Sequence, residues 1–143
     1  MRAVFEEFGF ELEVDGYEAD VVDPAAHYAP PANGFAVAED GHGRVVGCVG
    51  FTGEGHGTFE LHRLYVLREA RRHGLGEALV RWVIGQARER GGTRIILFSD
   101  IQFTDAHRLY ERLGFRRTRF RYAPDPWQSR EWGYELSLAG GGA

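Results

Sequence analysis

Hydrophobic and polar residues alternate along this chain with two different periods, and the periods separate its strands from its helices. Apolar residues recur every three to four positions in 74–90 and in 105–113, which predicts two amphipathic helices, and the same spacing in 2–8 predicts a shorter one. Short apolar or alternating runs bounded by turn residues predict six strands: 34–39, 44–52, 59–66, 93–99, 115–122 and 131–138. The chain is therefore expected to combine both kinds of element in one domain.

The turn residues between these elements predict how the strands connect. Glycine-rich turns at 40–43 and 53–57 predict that the first three strands run antiparallel. The strand 93–99 is a continuous apolar run between two helices, which is typical of a buried parallel strand, so 59–99 is expected to form a strand–helix–strand crossover. Gly47 and Gly50 indicate a bulge or a close backbone approach in the second strand.

Length and composition narrow the class of protein. With 143 residues the chain is long enough for one domain, assigned to 1–138, and the Gly/Ala tail 139–143 is expected to be disordered. No apolar run reaches the length of a membrane span and no leader opens the chain, so we expect a cytoplasmic protein with no membrane partner. The single cysteine, Cys48, lies in an apolar strand and is expected to be a buried thiol rather than a nucleophile.

The charges favour a small anionic ligand. The net charge is −4, and all 17 basic residues are arginine. They concentrate at 68–72 and 116–121, and two local patches on an acidic protein suit a small polyanion better than a nucleic acid, so no nucleic-acid partner is predicted. Acidic residues in 15–23 suggest a cationic acceptor, with a polyamine, an amino sugar, an amino acid and a peptide N-terminus all left open.

The stretch that links the third strand to the long helix predicts an anion site. It reads Arg71-Arg72-His73-Gly74-Leu75-Gly76, and a helix N-terminus offers unpaired N–H groups and the positive end of the helix dipole. A Walker loop would need Lys-Ser/Thr where Glu77-Ala78 stand, and a dinucleotide fingerprint would need glycine in place of Leu79. An anion-binding loop of another kind remains, with a plain strand-to-helix turn as the alternative.

A second motif gives this loop a family context. Ala106 to Phe115 read A-x-x-L-Y-x-x-x-G-F, and with Arg-x-x-Gly-x-Gly the chain resembles the GCN5-related N-acetyltransferase (GNAT) superfamily over residues 34–138. The resemblance implies an α+β (mixed α/β) fold with a mixed sheet of about six strands, helices on both faces and a βαβ crossover carrying the loop. It also implies that acetyl-CoA donates an acetyl group to a primary amine by direct attack in a ternary complex. A non-catalytic acetyl-CoA sensor or interaction module is the alternative.

The resemblance also implies roles for individual residues. The thioester arm would pair with backbone groups of the third strand, and the pyrophosphate would lie on amides of the loop beside Arg71. The implied cofactor-binding residues are Leu64, Tyr65, Val66, Arg71, Arg72, His73, Gly74, Leu75, Gly76, Glu77, Phe103 and Ala106. Phe103 stands where the family often has an asparagine, which weakens one expected contact with the CoA arm.

Two residues carry the implied catalysis. Tyr110 would protonate the departing thiolate, and Glu60 would take a proton from the amine. Each residue also has a structural alternative. Tyr110 lies on the apolar stripe of its helix and could simply pack in the core, and Glu60 could be a charged strand residue with no catalytic role. Strand alternation places His62 on the face of Glu60, so His62 is a rival base.

Three further expectations concern metals and partners. The remaining histidines show no metal-ligand spacing, so no metal is predicted. The acceptor is expected to be a small-molecule or peptide amine. The chain lacks the strand with which the family usually begins, and an uncovered sheet edge favours a homodimer.

Overall fold

The computed structural model describes residues 33–68 and 74–138. Within these ranges the chain forms six strands and two helices, as the periodicity predicts. In chain order they are β1 (Gly34–Glu39), β2 (Val45–Gly55), β3 (Thr58–Val66), α1 (Leu75–Glu89), β4 (Arg94–Asp100), α2 (Thr104–Arg112), β5 (Arg116–Tyr122) and β6 (Arg130–Ser137). The predicted helix 2–8, the loop 71–73 and the tail 139–143 lie outside the described residues.

All six strands belong to one open mixed sheet, in the order β1-β2-β3-β4-β6-β5. Strands β1, β2 and β3 pair antiparallel, and β4, β6 and β5 do the same. The junction between the two halves is the parallel pair β3–β4, joined through α1. The predicted mixed sheet with one crossover is therefore confirmed.

The main core lies on the sheet face that carries both described helices, here called the helix face. The apolar stripe of α1 packs on residues from β2, β3 and β4, and α2 adds Tyr110 to the same cluster. Val80, Val83, Ile95 and Leu97 are essentially inaccessible to solvent, and full burial of such side chains contributes about 1.5–3 kcal/mol each. The other sheet face is here called the opposite face. The predicted helix 2–8 lies outside the described ranges, so a helix on the opposite face stays a prediction.

The ends of the helices are set by local backbone geometry. Gly74 (φ 73°) precedes α1, and Gly91 (φ 72°) follows it, as expected for these positions. A threonine just before a helical pattern is a favoured N-cap, which predicts Thr104 as the cap of α2. This prediction is wrong, because the cap is Phe103, which makes no side-chain hydrogen bond. Asp100 closes the preceding turn by accepting the Phe103 N–H, so the helix begins one residue earlier than the Thr104 hydroxyl suggests. No helix of the described part is long and apolar enough to cross a membrane.

Candidate functional site

A bulge in β3 shapes the site. Cys48 is opposite Tyr65 and Gly50 is opposite His62, so two steps along β2 match three along β3. Arg63 occupies the extra position with φ 55°, a left-handed conformation that costs a non-glycine residue about 1–2 kcal/mol. The bulge shifts the alternation by one residue, so Leu64 turns into the main core while His62 stays on the opposite face.

Beyond this bulge the sheet opens between β3 and β4. Backbone pairing joins Thr58, Phe59 and Glu60 to Arg94, Ile95 and Ile96, and the described residues contain no further β3–β4 pair. The two strands continue for several residues on either side of the opening, to Val66 and to Asp100. An extended ligand can enter such a gap as an added strand, with main-chain hydrogen bonds to β3.

The start of α1 lies beyond the end of β3 and presents the glycines of the predicted anion loop. The first hydrogen bond within the helix runs from the Ala78 N–H to the Gly74 carbonyl. The N–H groups of Leu75, Gly76 and Glu77 therefore have no acceptor inside the helix and can bind an anion. A Cβ at Gly74 would meet no atom within 4 Å, so its positive φ rather than crowding favours glycine. Arg71, Arg72 and His73 lie outside the described residues, so their predicted contacts stay predictions.

The Glu77 side chain is committed to neighbouring arginines. Its carboxylate binds Arg81 at 2.9 Å and Arg112 of α2 at 3.3 Å, and these hydrogen bonds lower the pKa of Glu77. The side chain thus joins α1 to α2, and only the backbone amide of Glu77 is suited to an anion.

On the opposite face, four polar side chains form a connected chain, here called the polar relay: Glu60, His62, Thr52 and Glu54. Glu60 Oε2 lies 3.7 Å from His62 Nδ1. The Thr52 hydroxyl lies 2.9 Å from His62 Nε2 and donates to Glu54 Oε2 at 2.6 Å. Because that hydroxyl has one hydrogen, it accepts from His62, and Nε2 carries the imidazole hydrogen. The predicted shared face of Glu60 and His62 is confirmed.

Glu60 is poised to exchange a proton near neutral pH. Its side chain is 19% exposed, and burial, together with the nearby Glu54 and Glu131, raises its pKa to about 7 despite the opposing effect of Arg121. A carboxyl with this pKa is half ionised near pH 7, which suits a general base.

Tyr110 lies on the other side of the opening, in the core of the helix face. It is 4% exposed and contacts Phe115 and Tyr134 with ring centroids 5.7 Å apart in each pair. Burial raises its pKa, which keeps the phenol protonated. The Tyr134 hydroxyl donates to Glu111 and accepts from Arg117, whereas among the described residues the Tyr110 hydroxyl has no hydrogen-bond partner.

The remaining predicted cofactor residues occupy the start of α2. Phe103 caps the helix and is 58% exposed, and Ala106 packs against the main core. Cys48 is fully buried, donates to the Arg63 carbonyl at 3.4 Å and has its pKa raised to about 12 by burial. Its predicted role as a structural thiol rather than a nucleophile agrees with this environment.

Sequence reasoning did not find several polar residues of the site. Thr52 and Glu54 join Glu60 only through the pairing of β2 with β3, and Arg121 reaches the same face from β5. The sequence signal available for Thr52 is its place at the end of a strand, which does not show its partner across a bulged hairpin. His107, to which the sequence assigns no role, is buried on α2 and bonds Ser99 at 3.1 Å.

The polar relay also contains a group with the composition of a cation site. Ligand atoms of Glu54, Glu60 and His62 lie within 4.8 Å of one another. Two of the three are engaged with the Thr52 hydroxyl, so protein hydrogen bonds already satisfy part of the group.

Comparison with known proteins gives the site a family. The model of the acetyltransferase (GNAT) family matches residues 1–115. An uncharacterized N-acetyltransferase of Schizosaccharomyces pombe is 34% identical over 119 residues, which cover 82% of this chain and 73% of that protein. The aminoalkylphosphonate N-acetyltransferase of Salmonella typhimurium is 30% identical over 125 residues, covering 81% of this chain and 73% of that protein.

Solved structures share the fold. A GNAT-family acetyltransferase from Staphylococcus aureus matches with a TM-score of 0.77 at 22% identity, covering 93% of this chain and 84% of that one. An aminoglycoside 6'-N-acetyltransferase, solved in complex with coenzyme A, matches with a TM-score of 0.66 at 18% identity, covering 83% of this chain and 80% of that one. At these identities the likeness establishes the fold alone.

Proposed function

Because this chain belongs to the GNAT family of acetyltransferases and is an N-acetyltransferase, we propose that it transfers the acetyl group of acetyl-CoA directly to a primary amine, with Glu60 as the base. The observation that carries this proposal is the raised pKa of Glu60, about 7, beside the opening between β3 and β4. An amine is protonated at neutral pH and has to lose a proton before it attacks a thioester, so a carboxylate that titrates near pH 7 is suited to the step.

Acetyl-CoA is proposed to enter the opening from the α1 side. The thioester arm pairs along Leu64, Tyr65 and Val66, and the pyrophosphate lies on the amides of 72–77. The glycine at 74 and the dipole of α1 favour this placement. Phe103 and Ala106 border the arm from α2.

The reacting groups then lie on the two sides of the sheet. The ammonium binds on the opposite face, gives one proton to Glu60 and attacks the thioester carbonyl through the freed lone pair. The tetrahedral intermediate loses a second N–H proton to solvent, and its C–S bond breaks to expel the CoA thiolate. The Tyr110 hydroxyl protonates that sulfur from the helix face. One observation favours Tyr110 over Tyr134 for this role: the Tyr110 hydroxyl has no partner among the described residues, whereas the Tyr134 hydroxyl is held by Glu111 and Arg117.

His62 is the alternative base, since its Nδ1 faces Glu60 at 3.7 Å. Single substitutions separate the two. Glu60→Gln is expected to abolish most turnover and to remove the acidic limb of the pH profile near pH 7, whereas His62→Gln is expected to leave that limb in place. The reverse pattern would assign the base to His62.

A non-catalytic acetyl-CoA sensor would use the same loop, so binding and turnover are measured together. Acetyl-CoA at a hundred times its Kd is expected to stabilise the native chain by about 2.7 kcal/mol. The matched variant Gly74→Glu, which puts a negative side chain at the loop, is expected to lose that shift. A shift without acetylation of any amine would favour the sensor, and no shift would remove the cofactor site.

The remaining assignments are part of the same proposal. The chain acts without a metal, so dialysis against a chelator is expected to leave turnover unchanged, and loss of activity restored by a divalent cation would instead assign the group at Glu54, Glu60 and His62 to a metal. A cytoplasmic location, a homodimer and the lack of nucleic-acid and membrane partners stay predictions. Light scattering that shows only monomer would contradict the homodimer.

A further inference from the structure

A pair of arginines on β5 lies next to the Glu60 side of the sheet. The guanidinium carbon of Arg121 lies 3.5 Å from the centroid of the Phe98 ring, and that of Arg119 lies 5.2 Å from the same centroid. Phe98 belongs to β4, two residues beyond the Ile96 that pairs with Glu60. The spacing between strands and the rise per residue place the backbone of Phe98 roughly 8 Å from that of Glu60. The side chains of Arg119 and Arg121, which stack on Phe98, are thus brought toward the base.

The path of these arginines depends on the strand between β4 and β5. Phe98 and Arg119 are both opposite Gly133 of β6. A Cβ at Gly133 would lie 3.1 Å from Phe98 and 3.4 Å from Arg119. The missing side chain therefore lets Arg119 of the edge strand cross β6 and reach the ring of β4, on which Arg121 also stacks.

The Arg121 side chain is held in place through its Nε, and its two terminal nitrogens can still donate to a ligand. Its Nε donates to Glu131 at 2.9 Å, and both side chains are largely shielded, at 31% and 15% exposed. Within the described ranges its two terminal nitrogens have no hydrogen-bond partner. A guanidinium fixed through one nitrogen and one ring face presents its remaining donors in a set geometry, which suits the oxygens of a carboxylate or phosphonate.

The charges on this face fall into two groups. Glu54, Glu60 and His62 form one end, and Arg119, Arg121 and Glu131 form the other. Asp100 is opposite Glu131 in the sheet, and its carboxylate accepts the Gln102 N–H in the turn after β4. Arg94 and Glu135 pair with each other at 3.1 Å. The first end is suited to an ammonium group, and the second offers guanidinium donors to an anionic group.

We propose that the acceptor is a short zwitterion, a primary amine whose own carboxylate or phosphonate binds Arg121 while its amino group meets Glu60. This inference rests on the proposed acetyl transfer and adds its substrate class. It narrows the cationic acceptor that the acidic residues of 15–23 suggest to an amine that also carries an anionic group, and it excludes a polyamine. Arg121 acts in binding and specificity and takes no part in the chemical step.

The test compares three amines of equal length with acetyl-CoA: 4-aminobutanoate, butylamine and 1,4-diaminobutane. The zwitterion is expected to have a kcat/KM about tenfold or more above that of butylamine, which is the effect of one charge-assisted contact. Shorter and longer amino acids and 3-aminopropylphosphonate then define the spacing and distinguish carboxylate from phosphonate.

Variants assign the preference to Arg121. Arg121→Gln is expected to lower kcat/KM for 4-aminobutanoate about tenfold relative to that for butylamine, a ratio that cancels any common effect of Arg121 on the pKa of Glu60. Arg121→Glu is expected to reverse the order in favour of the diamine. Arg108→Gln, which removes an exposed arginine of α2, is the matched control and is expected to change neither substrate. The ratio of kcat/KM values for two amines within one variant does not depend on how much of the protein is folded.

Each outcome decides between the two proposals. Turnover of butylamine or the diamine at rates equal to or above the zwitterion would overturn the substrate class and leave acetyl transfer intact. An equal loss for all amines in Arg121→Gln would make Arg121 a structural residue and also overturn it. No acetylation of any amine would overturn the proposed function, and this inference with it.

Discussion

The ionisation of Glu60 links catalysis to stability, and Glu60→Gln tests that link. The carboxyl has a pKa of about 7 in the folded protein, compared with 4.5 for an unperturbed glutamate side chain in water, which represents the unfolded state. A folded-state pKa above the unfolded value means that the folded protein binds the proton more tightly. Ionisation of Glu60 therefore destabilises the fold as the pH rises from about 4.5 to about 7.

The magnitude follows from that shift. A difference of about 2.5 pKa units corresponds to roughly 3 kcal/mol once the carboxyl is ionised in both states, and to less than about 1 kcal/mol near pH 5. Glutamine has nearly the same shape and no charge, so it escapes this cost. The free energy of unfolding of Glu60→Gln minus that of the native chain is expected to increase by about 2–3 kcal/mol from pH 5 to pH 8.5.

The assay is urea unfolding of both proteins at a series of pH values. Glu89→Gln, which removes an exposed carboxylate near the end of α1, is the matched control and is expected to show no such increase. A difference between Glu60→Gln and the native chain that stays constant with pH would refute the reasoning, because it would mean that folding does not perturb the Glu60 carboxyl. The same substitution is expected to reduce acetyl transfer, so stability and activity change in opposite directions at pH 8.5.

Other substitutions test single contacts. Tyr110→Phe is expected to lower kcat by about a hundredfold or more and leave the Kd of acetyl-CoA unchanged, since its hydroxyl makes no hydrogen bond among the described residues, and undiminished turnover would exclude it as the acid. Thr52→Val removes the contacts at 2.9 and 2.6 Å that fix the His62 tautomer, so kcat is expected to fall several-fold, with Thr52→Ser restoring it; equal activity of Val and Ser would contradict the relay. Cys48 is expected to react with a thiol reagent at pH 8 only as fast as the protein opens, and rapid labelling of the native chain would contradict its burial.

Local patterns determined most of the fold. The period of apolar residues identified α1, α2 and all six strands, because each element buries one face or stripe and its sequence has to repeat accordingly. Gly74 and Gly91 marked the ends of α1 because a positive φ is costly for other residues. Thr104 shows the limit of such signals. Its hydroxyl predicts a helix that begins after residue 104, but the turn closed by the Asp100 carbonyl makes Phe103 the cap, so the helix begins one residue earlier.

The sequence by itself also determined the family and the candidate residues on β3, α1 and α2, because those motifs are contiguous. Only the tertiary structure decided which polar groups Glu60 meets. The bulge at Arg63 sets the register that brings Thr52 to His62, and the insertion of β6 between β4 and β5, with glycine at 133, brings Arg121 across to Phe98. The physical reason is that burial and neighbouring charge set the pKa and the charge pattern of the site, and both depend on strands that lie far apart in the chain and pair in a register that no local pattern specifies.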